Sequence, residues 1–345
     1  MNKQIILQDA QGICERVKFG GLQGATILVT GASGLIGTYI LACLCQLRES
    51  GVQMRVYAQH LSELPPHVVE LVRLGHFEVL QANLADIDVY ARLPVADVIL
   101  HAAGYAQPGR FMANPAATIQ VNTSATIALL RRLRSDGRFL FVSSAEVYSG
   151  LKKPFLTETD IGLTTPTHPR AAYIEGKRCG EAICNAFRVE GIHAISARLA
   201  HTFGPGTRKH DRRALNSFIE KALCQGKIAL LDAGTAVRTY CYVADAVEVL
   251  WQVLLYGKEP VYNVGGQSTV TIADLAGMIA EMTDATVVLP STQAEVAGAP
   301  EEVRLDLTKG ETEFGKTQYI GLEEGLKTTV EWQRDLYLQR PGGDG

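Results

Sequence analysis

Apolar residues along this chain fall alternately into short continuous runs and into segments with helical spacing. Residues 25–30 (Ala-Thr-Ile-Leu-Val-Thr) form an unbroken run rich in β-branched side chains, the pattern of a strand covered on both faces of a parallel sheet. Runs at 54–58, 77–81, 97–101, 138–143 and 193–198 predict five more strands. Segments of helical periodicity lie between them, among them 38–48, 115–134 and the one that begins at Tyr173. This alternation favours an α/β fold with a doubly wound parallel sheet over any all-α or all-β arrangement.

Beyond residue 200 the pattern changes. Short strands at 237–242, 261–264 and 286–289 and helices at 215–225, 244–256, 272–282 and 322–338 are separated by Gly and Pro loops, as in a smaller α+β lid. The expected division is a doubly wound domain over 1–200, including a short N-terminal extension, and a second domain, mainly α+β, over 201–340. Some strands and helices of the second part are expected to return to the first. Residues 341–345 read as a disordered tail, and no internal repeat is visible.

With 345 residues, 47% of them hydrophobic, the chain can bury a large core. A net charge of −3 without a basic block argues against an extended nucleic-acid footprint. Residues 1–21 lack the apolar core of a signal peptide, and the longest apolar stretch, 39–47, is too short and too polar to cross a bilayer. A cytoplasmic protein that does not enter the membrane is expected. The seven cysteines are scattered in apolar contexts without Cys-x-x-Cys or paired His spacing, so free thiols and no metal site are expected.

The first strand runs into Gly31-Ala-Ser-Gly34-Leu-Ile-Gly37 and then a helix. Strand, glycine turn and helix in that order form a phosphate cradle: main-chain N–H groups face the anion and absent β-carbons permit close approach. The second strand ends in Ala58, Gln59 and His60, where such folds usually carry an acid for the adenosine ribose. Its absence removes the repulsion that would exclude a 2′-phosphate, yet no arginine follows at once to bind one. The fifth strand ends in Ser143-Ser144-Ala145-Glu146, so that hydroxyls face the crevice where open α/β sheets bind ligands. Tyr173 and Lys177, four apart, project from one helix face, where an ammonium favours the phenolate and makes the phenol a usable base. His101 reads as a packing residue at a strand end, and Asn122 as a buried amide.

With Gly31, Gly34, Gly37, Ser144, Tyr173 and Lys177 in order, residues 25–332 resemble an extended short-chain dehydrogenase/reductase of the NAD-dependent epimerase/dehydratase family acting on nucleotide sugars. Within that class, Pro108-Gly-Arg-Phe-Met-Ala-Asn-Pro115, Pro169-Arg-Ala-Ala-Tyr-Ile-Glu-Gly-Lys-Arg178, Phe203-Gly-Pro205, residues 237–245 and Leu322-Glu-Glu-Gly-Leu326 are most similar to UDP-glucuronate decarboxylases. The resemblance implies bound NAD, with NADP left open, held by the glycine loop with Ser33, Leu35 and Ile36, by Asn83 near the adenine, by Ala102 and Ala103, and by Tyr173 and Lys177. It implies a nucleotide-diphosphate sugar as partner and a homodimer formed through helices 115–134 and 173–190.

It also implies roles for the reacting groups. Tyr173 takes the proton of the sugar C4 hydroxyl, Lys177 holds the ribose and lowers the Tyr173 pKa, and Ser144 hydrogen-bonds the C4 oxygen. Glu146 matches decarboxylases and 4,6-dehydratases, but dehydratases carry a further acid at the position of Ala145, and a methyl group cannot act as one. A hydrated carboxylate at a strand end is the plain alternative for Glu146. Arg238 and Arg304 are the candidate diphosphate or sugar ligands. Reduction of a 4-ketosugar by NAD(P)H, 4-epimerisation, and a non-catalytic cofactor-binding protein are the other readings. Ser149 in place of a glycine, Asp211-Arg212-Arg213 in place of Asp-Gly-Arg, and the missing ribose acid depart from the family pattern.

Overall fold

A computed structural model describes residues 3–290 and 302–338. The first apolar run becomes β1 (Thr26–Thr30), whose last four residues are buried because a central parallel strand is covered on both faces. It is followed by β2 (Arg55–His60), β3 (Glu78–Gln81), β4 (Ala96–His101), β5 (Leu133–Ser144), β6 (His193–Leu199), β7 (His201–Phe203), β8 (Lys227–Ala229), β9 (Val237–Tyr242) and β10 (Val261–Val264). The main sheet has seven strands in the order β10-β6-β5-β4-β1-β2-β3, every neighbouring pair parallel. Strand order reverses between β1 and β4, and the crevice at that reversal is where such sheets bind ligands.

Three expectations shift. The strand at 261–264, read with the smaller lid, lies at the edge of the main sheet beside β6, with Val261 opposite Ser196. The segment 115–134 is two helices, Pro115–Asn122 and Ser124–Leu130, and β5 already begins at Leu133. Thr118, Thr123 and Thr126 each donate a hydroxyl hydrogen bond of 2.8 Å to the carbonyl four residues back, a pattern that bends helices, and Thr123 between the two helices is distorted to φ −115° and ψ −78°. Finally, β2 continues two residues past its expected end, so Gln59 and His60 are buried strand residues.

The later chain adds β11 (Ser268–Thr271), β12 (Thr286–Val288) and β13 (Glu302–Val303). A second sheet runs β11-β9-β13 with β7 also on β9, and β8 pairs with β12. The N-terminal helix Lys3–Arg16 is tied to both parts: Tyr39 and Tyr242 each donate to Asp9 at 2.8 Å, and Arg16 pairs with Glu248 at 2.6 Å. Among the described residues no helix is long and apolar enough to cross a membrane. The tail 341–345 lies outside the described residues.

Candidate active site

A cleft of about 740 Å³ runs along the carboxyl ends of the main-sheet strands and under the second sheet. At one end it is floored by the turn after β1. Gly31 has φ +71°, and a β-carbon there would lie 2.7 Å from the Ala102 carbonyl and from Ala103 N. One on Gly37 would lie 2.4 Å from the Gly31 carbonyl oxygen, so the helix Leu35–Glu49 can pack this close only on glycine. Gly34 caps that helix without a side chain, leaving the N–H groups of its first turn to face the cleft. This cradle fits the pyrophosphate of a dinucleotide. Ser33, Leu35, Ile36, Asn83, Ala102 and Ala103 line the same end.

Gln59 stands where a ribose-binding acid was sought, and both ends of its amide are engaged. Its Oε1 accepts from Gly31 N at 3.2 Å and its Nε2 donates to the Ala82 carbonyl at 2.6 Å, so it braces the glycine turn against the end of β3. His101 braces the other side. Nε2–H donates to the Val121 carbonyl at 3.0 Å, which leaves Nδ1 to accept from Thr30 at 2.7 Å, and Thr30 in turn accepts from Ala103 N. Burial pushes the His101 pKa down to about 3, so the ring is a neutral structural link.

At the other end, β5 delivers Ser144 and the turn Ala145–Tyr148 delivers Glu146, while the helix Ala171–Val189 presents Tyr173 and Lys177 on one face. Burial pushes the Tyr173 phenol up to about 12; a hydrogen bond from the Ser144 hydroxyl acts against it. The neighbouring Glu146 charge raises it further, and those of Arg170 and Arg213 draw it down. Lys177 lies beneath, its Nζ 5.9 Å from the Tyr173 ring centroid and 4.7 Å from that of Phe141, donating to the Val142 carbonyl at 2.7 Å. Burial brings its pKa down to about 7. Arg170 and Arg213 are therefore cations that favour the phenolate here.

Glu146 is 12% exposed and accepts a hydrogen bond from Arg170 Nη2 in an ion pair. Its pKa is raised by burial, which outweighs Arg170, Ser149 and Arg238. Ser149, the residue in place of a glycine, donates to Glu146 at 3.4 Å. Arg238 lines the cleft from β9 and donates to the Val237 carbonyl at 2.7 Å. Arg304 is not among the cleft residues: its carbonyl accepts from Leu156 N at 2.8 Å, beside the bridge that joins Leu156 to Leu305.

Several residues reach the site that sequence reasoning did not single out. Arg170 lies three residues before Tyr173 inside a quoted motif, and its neighbour in sequence was the available signal. Arg213 is held by Asp211 through hydrogen bonds of 3.0 and 2.7 Å and faces the cleft, which gives the altered 211–213 segment a geometry. Phe111, in the quoted 108–115 stretch, stacks on Tyr173. His201, on β7, lines the wall near Tyr240.

Comparison with known proteins agrees with this architecture. UDP-glucuronic acid decarboxylase 1 of Xenopus tropicalis is 28% identical over 310 residues, covering 89% of this chain and 72% of the relative. The solved UDP-glucose 4-epimerase of Thermotoga maritima superposes with a TM-score of 0.77 at 25% identity, covering 91% of this chain and all of the other. A dTDP-glucose 4,6-dehydratase from Streptomyces venezuelae gives a TM-score of 0.77 at 24% identity, covering 90% of this chain and 97% of the other. The model of the NAD-dependent epimerase/dehydratase family matches residues 27–265, and the chain belongs to that family of extended short-chain dehydrogenase/reductase enzymes.

Proposed function

We propose that the enzyme acts on a nucleotide-diphosphate sugar through a 4-keto intermediate, most like a UDP-glucuronate decarboxylase. The observation that carries this reading is the set of arginines at the reaction end: Arg170 and Arg238 act on Glu146, and Arg213, itself paired with Asp211, acts with Arg170 on Tyr173 beside Ser144. A sugar with a C6 carboxylate and a diphosphate brings the negative charge that such a wall attracts. Ala145 supplies no acid for expelling a C6 hydroxyl, which speaks against 4,6-dehydration.

A nicotinamide dinucleotide held on the Gly31–Gly37 turn would supply the hydride acceptor for C4 and the hydride for the closing reduction of a redox-neutral cycle. Tyr173 takes the C4 hydroxyl proton, Ser144 holds the same oxygen, and the arginines orient the carboxylate. A C4 ketone is β to C6, so carbon dioxide leaves as an enolate forms at C4 and C5. The donors that held the alcohol oxygen then stabilise the enolate oxygen. Reprotonation at C5 completes the chain's part before the ketone is reduced.

A second reading, reduction of a 4-ketosugar by NADPH, is favoured by one feature: the neutral Gln59 where an NAD-selective acid was sought. Incubation with UDP-glucuronate, with and without NAD+, followed by mass spectrometry separates them. Loss of one carbon dioxide supports the first reading. An unchanged mass with altered retention points to epimerisation. No reaction, together with NADPH consumption on a 4-ketosugar, supports the second. A homodimer through the helices of 115–130 and Ala171–Val189 is part of the proposal, and light scattering of the purified protein tests it.

A further inference from the structure

We propose that the cofactor site is built to take a 2′-phosphorylated dinucleotide, with Arg208 as the residue that holds the 2′-phosphate. In a fold of this kind the adenosine ribose lies over the end of β2, where an acid selects the free 2′-hydroxyl and a nearby arginine accommodates a phosphate. Here no carboxylate occupies that end: Gln59 is neutral, 2% exposed, and committed to main-chain partners on both sides.

The arginine arrives from the far side of the chain. Arg208 Nε donates to the Ser33 carbonyl in the glycine turn at 3.0 Å, Nη1 to the Ser62 hydroxyl at 3.0 Å and Nη2 to the Glu63 carbonyl at 3.2 Å. One guanidinium therefore bridges the glycine turn and the loop that follows β2, the two segments that flank the ribose. Three of its five N–H groups fix the plane, and one on each Nη remains for an anion. All three acceptors are uncharged oxygens, that of Glu63 being its main-chain carbonyl, and the charge that lowers the Arg208 pKa beside burial is another cation, Arg110.

The support beneath Arg208 is rigid. Thr207 donates to the Gly204 carbonyl at 2.9 Å, and its own carbonyl accepts from the fully buried Trp332 at 3.1 Å. His60 Nδ1–H donates to the Ser62 carbonyl at 2.7 Å and so shapes the opposing loop. A doubly charged phosphate brought between Ser33 and Ser62 would meet a hydroxyl and a preorganised, otherwise uncompensated guanidinium. The inference rests on where this family places its dinucleotide and not on the sugar reaction, so loss of carbon dioxide from UDP-glucuronate is compatible with either outcome.

Calorimetric titration of nucleotide-free full-length protein with adenosine 2′,5′-bisphosphate and with 5′-AMP tests it, together with NADP+ and NAD+. The wild type is expected to bind the 2′-phosphorylated member of each pair about tenfold more tightly or better, the range of a charge-assisted hydrogen-bond pair. Arg208→Ala should bring both ratios close to one while leaving 5′-AMP affinity nearly unchanged. A wild-type ratio at or below one overturns the proposal, as does a ratio that Arg208→Ala leaves in place. Should Arg208→Ala fail to fold, Ser62→Asp keeps the guanidinium and sets a carboxylate beside it. That variant must lower the ratio, and an unmoved ratio again overturns the proposal.

Discussion

Phe111 stacks face to face on Tyr173, with ring centroids 4.6 Å apart and planes 11° from parallel. The Arg170 guanidinium lies 5.5 Å from the centroid of the same Phe111 ring. One buried ring, 2% exposed, therefore sets the positions of both the phenol and the partner of Glu146. Phe111→Ala is expected to cost about 3 kcal/mol of stability through the cavity it leaves. Turnover should fall roughly tenfold or more with KM changed less, because the loss is of orientation. Chemical denaturation and steady-state kinetics measure the two effects, and an unchanged kcat would remove Phe111 from the positioning role.

Tyr173→Phe keeps the ring, its stacking and its burial, and deletes only the phenol oxygen. Its effect on stability should be about 1 kcal/mol, the value of the hydrogen bond shared with Ser144. Turnover is expected to fall about 10³-fold or more, since no other proton acceptor replaces the phenol. Dinucleotide affinity, followed by fluorescence titration, should stay within a factor of about three. Undiminished turnover would sink the assignment.

The Glu146–Arg170 pair makes a prediction about pH. Burial raises the Glu146 pKa and the Arg170 charge opposes the rise. Replacing Arg170 by Met removes the opposing charge, so Glu146 holds its proton to higher pH and the acid limb of the kcat profile moves upward. Glu146→Gln should abolish that limb and lower kcat by about 10²-fold. A limb that stays in place in both variants would belong to another group.

How far the sequence announces this site depends on the distance between partners. The strands and the glycine cradle were legible because a buried parallel strand needs a continuous apolar run, and a close turn needs glycine, both local demands. Tyr173, Lys177 and Ser144 were legible as residue types at strand and helix ends. Arg170 and Glu146, 24 residues apart, and Arg208 and Ser33, 175 apart, meet only through the fold. The reading that no arginine follows β2 was correct about the adjacent chain and blind to one that returns from beyond β7. The single helix expected over 115–134 is interrupted at Thr123, in a segment where three threonine hydroxyls share helical carbonyls with main-chain N–H groups, a bending influence that apolar periodicity does not register.

Gly31→Ala tests the cradle with its own control. At Gly31 a methyl group meets the Ala102 carbonyl and Ala103 N at 2.7 Å in a backbone with φ +71°. At Gly51, φ is +93° and nothing lies within 4 Å of the added carbon. Gly51→Ala should therefore show strain alone, a loss on the order of 1 kcal/mol with dinucleotide binding intact. Gly31→Ala adds a collision that displaces the turn, and dinucleotide affinity should fall at least about tenfold. Equal affinities in the two variants would mean that the turn tolerates displacement.

Lys177 gives the fold a pH dependence of its own. Its pKa falls from the ordinary lysine value of 10.5 to about 7, chiefly by burial, with the Glu181 charge countering in part. Between those two values the unfolded chain binds the proton and the folded chain does not, so this group's contribution to stability rises with pH from about 7 to about 10.5. Below about 7 the folded protein carries a buried ammonium whose hydrogen-bond acceptor is the Val142 carbonyl, and the penalty is at its largest. Lys177→Met retains most of the side-chain volume and removes the charge. In the cofactor-free protein it should raise stability by on the order of 1 kcal/mol or more at pH 6, with the advantage shrinking as pH climbs toward 10. The same substitution removes the cation that the family reading assigns to the ribose, so it should weaken dinucleotide binding while stabilising the empty fold. Thermal melts of both proteins across this range decide the matter: an advantage that does not shrink as pH climbs would show that Lys177 does not lose its proton over this range.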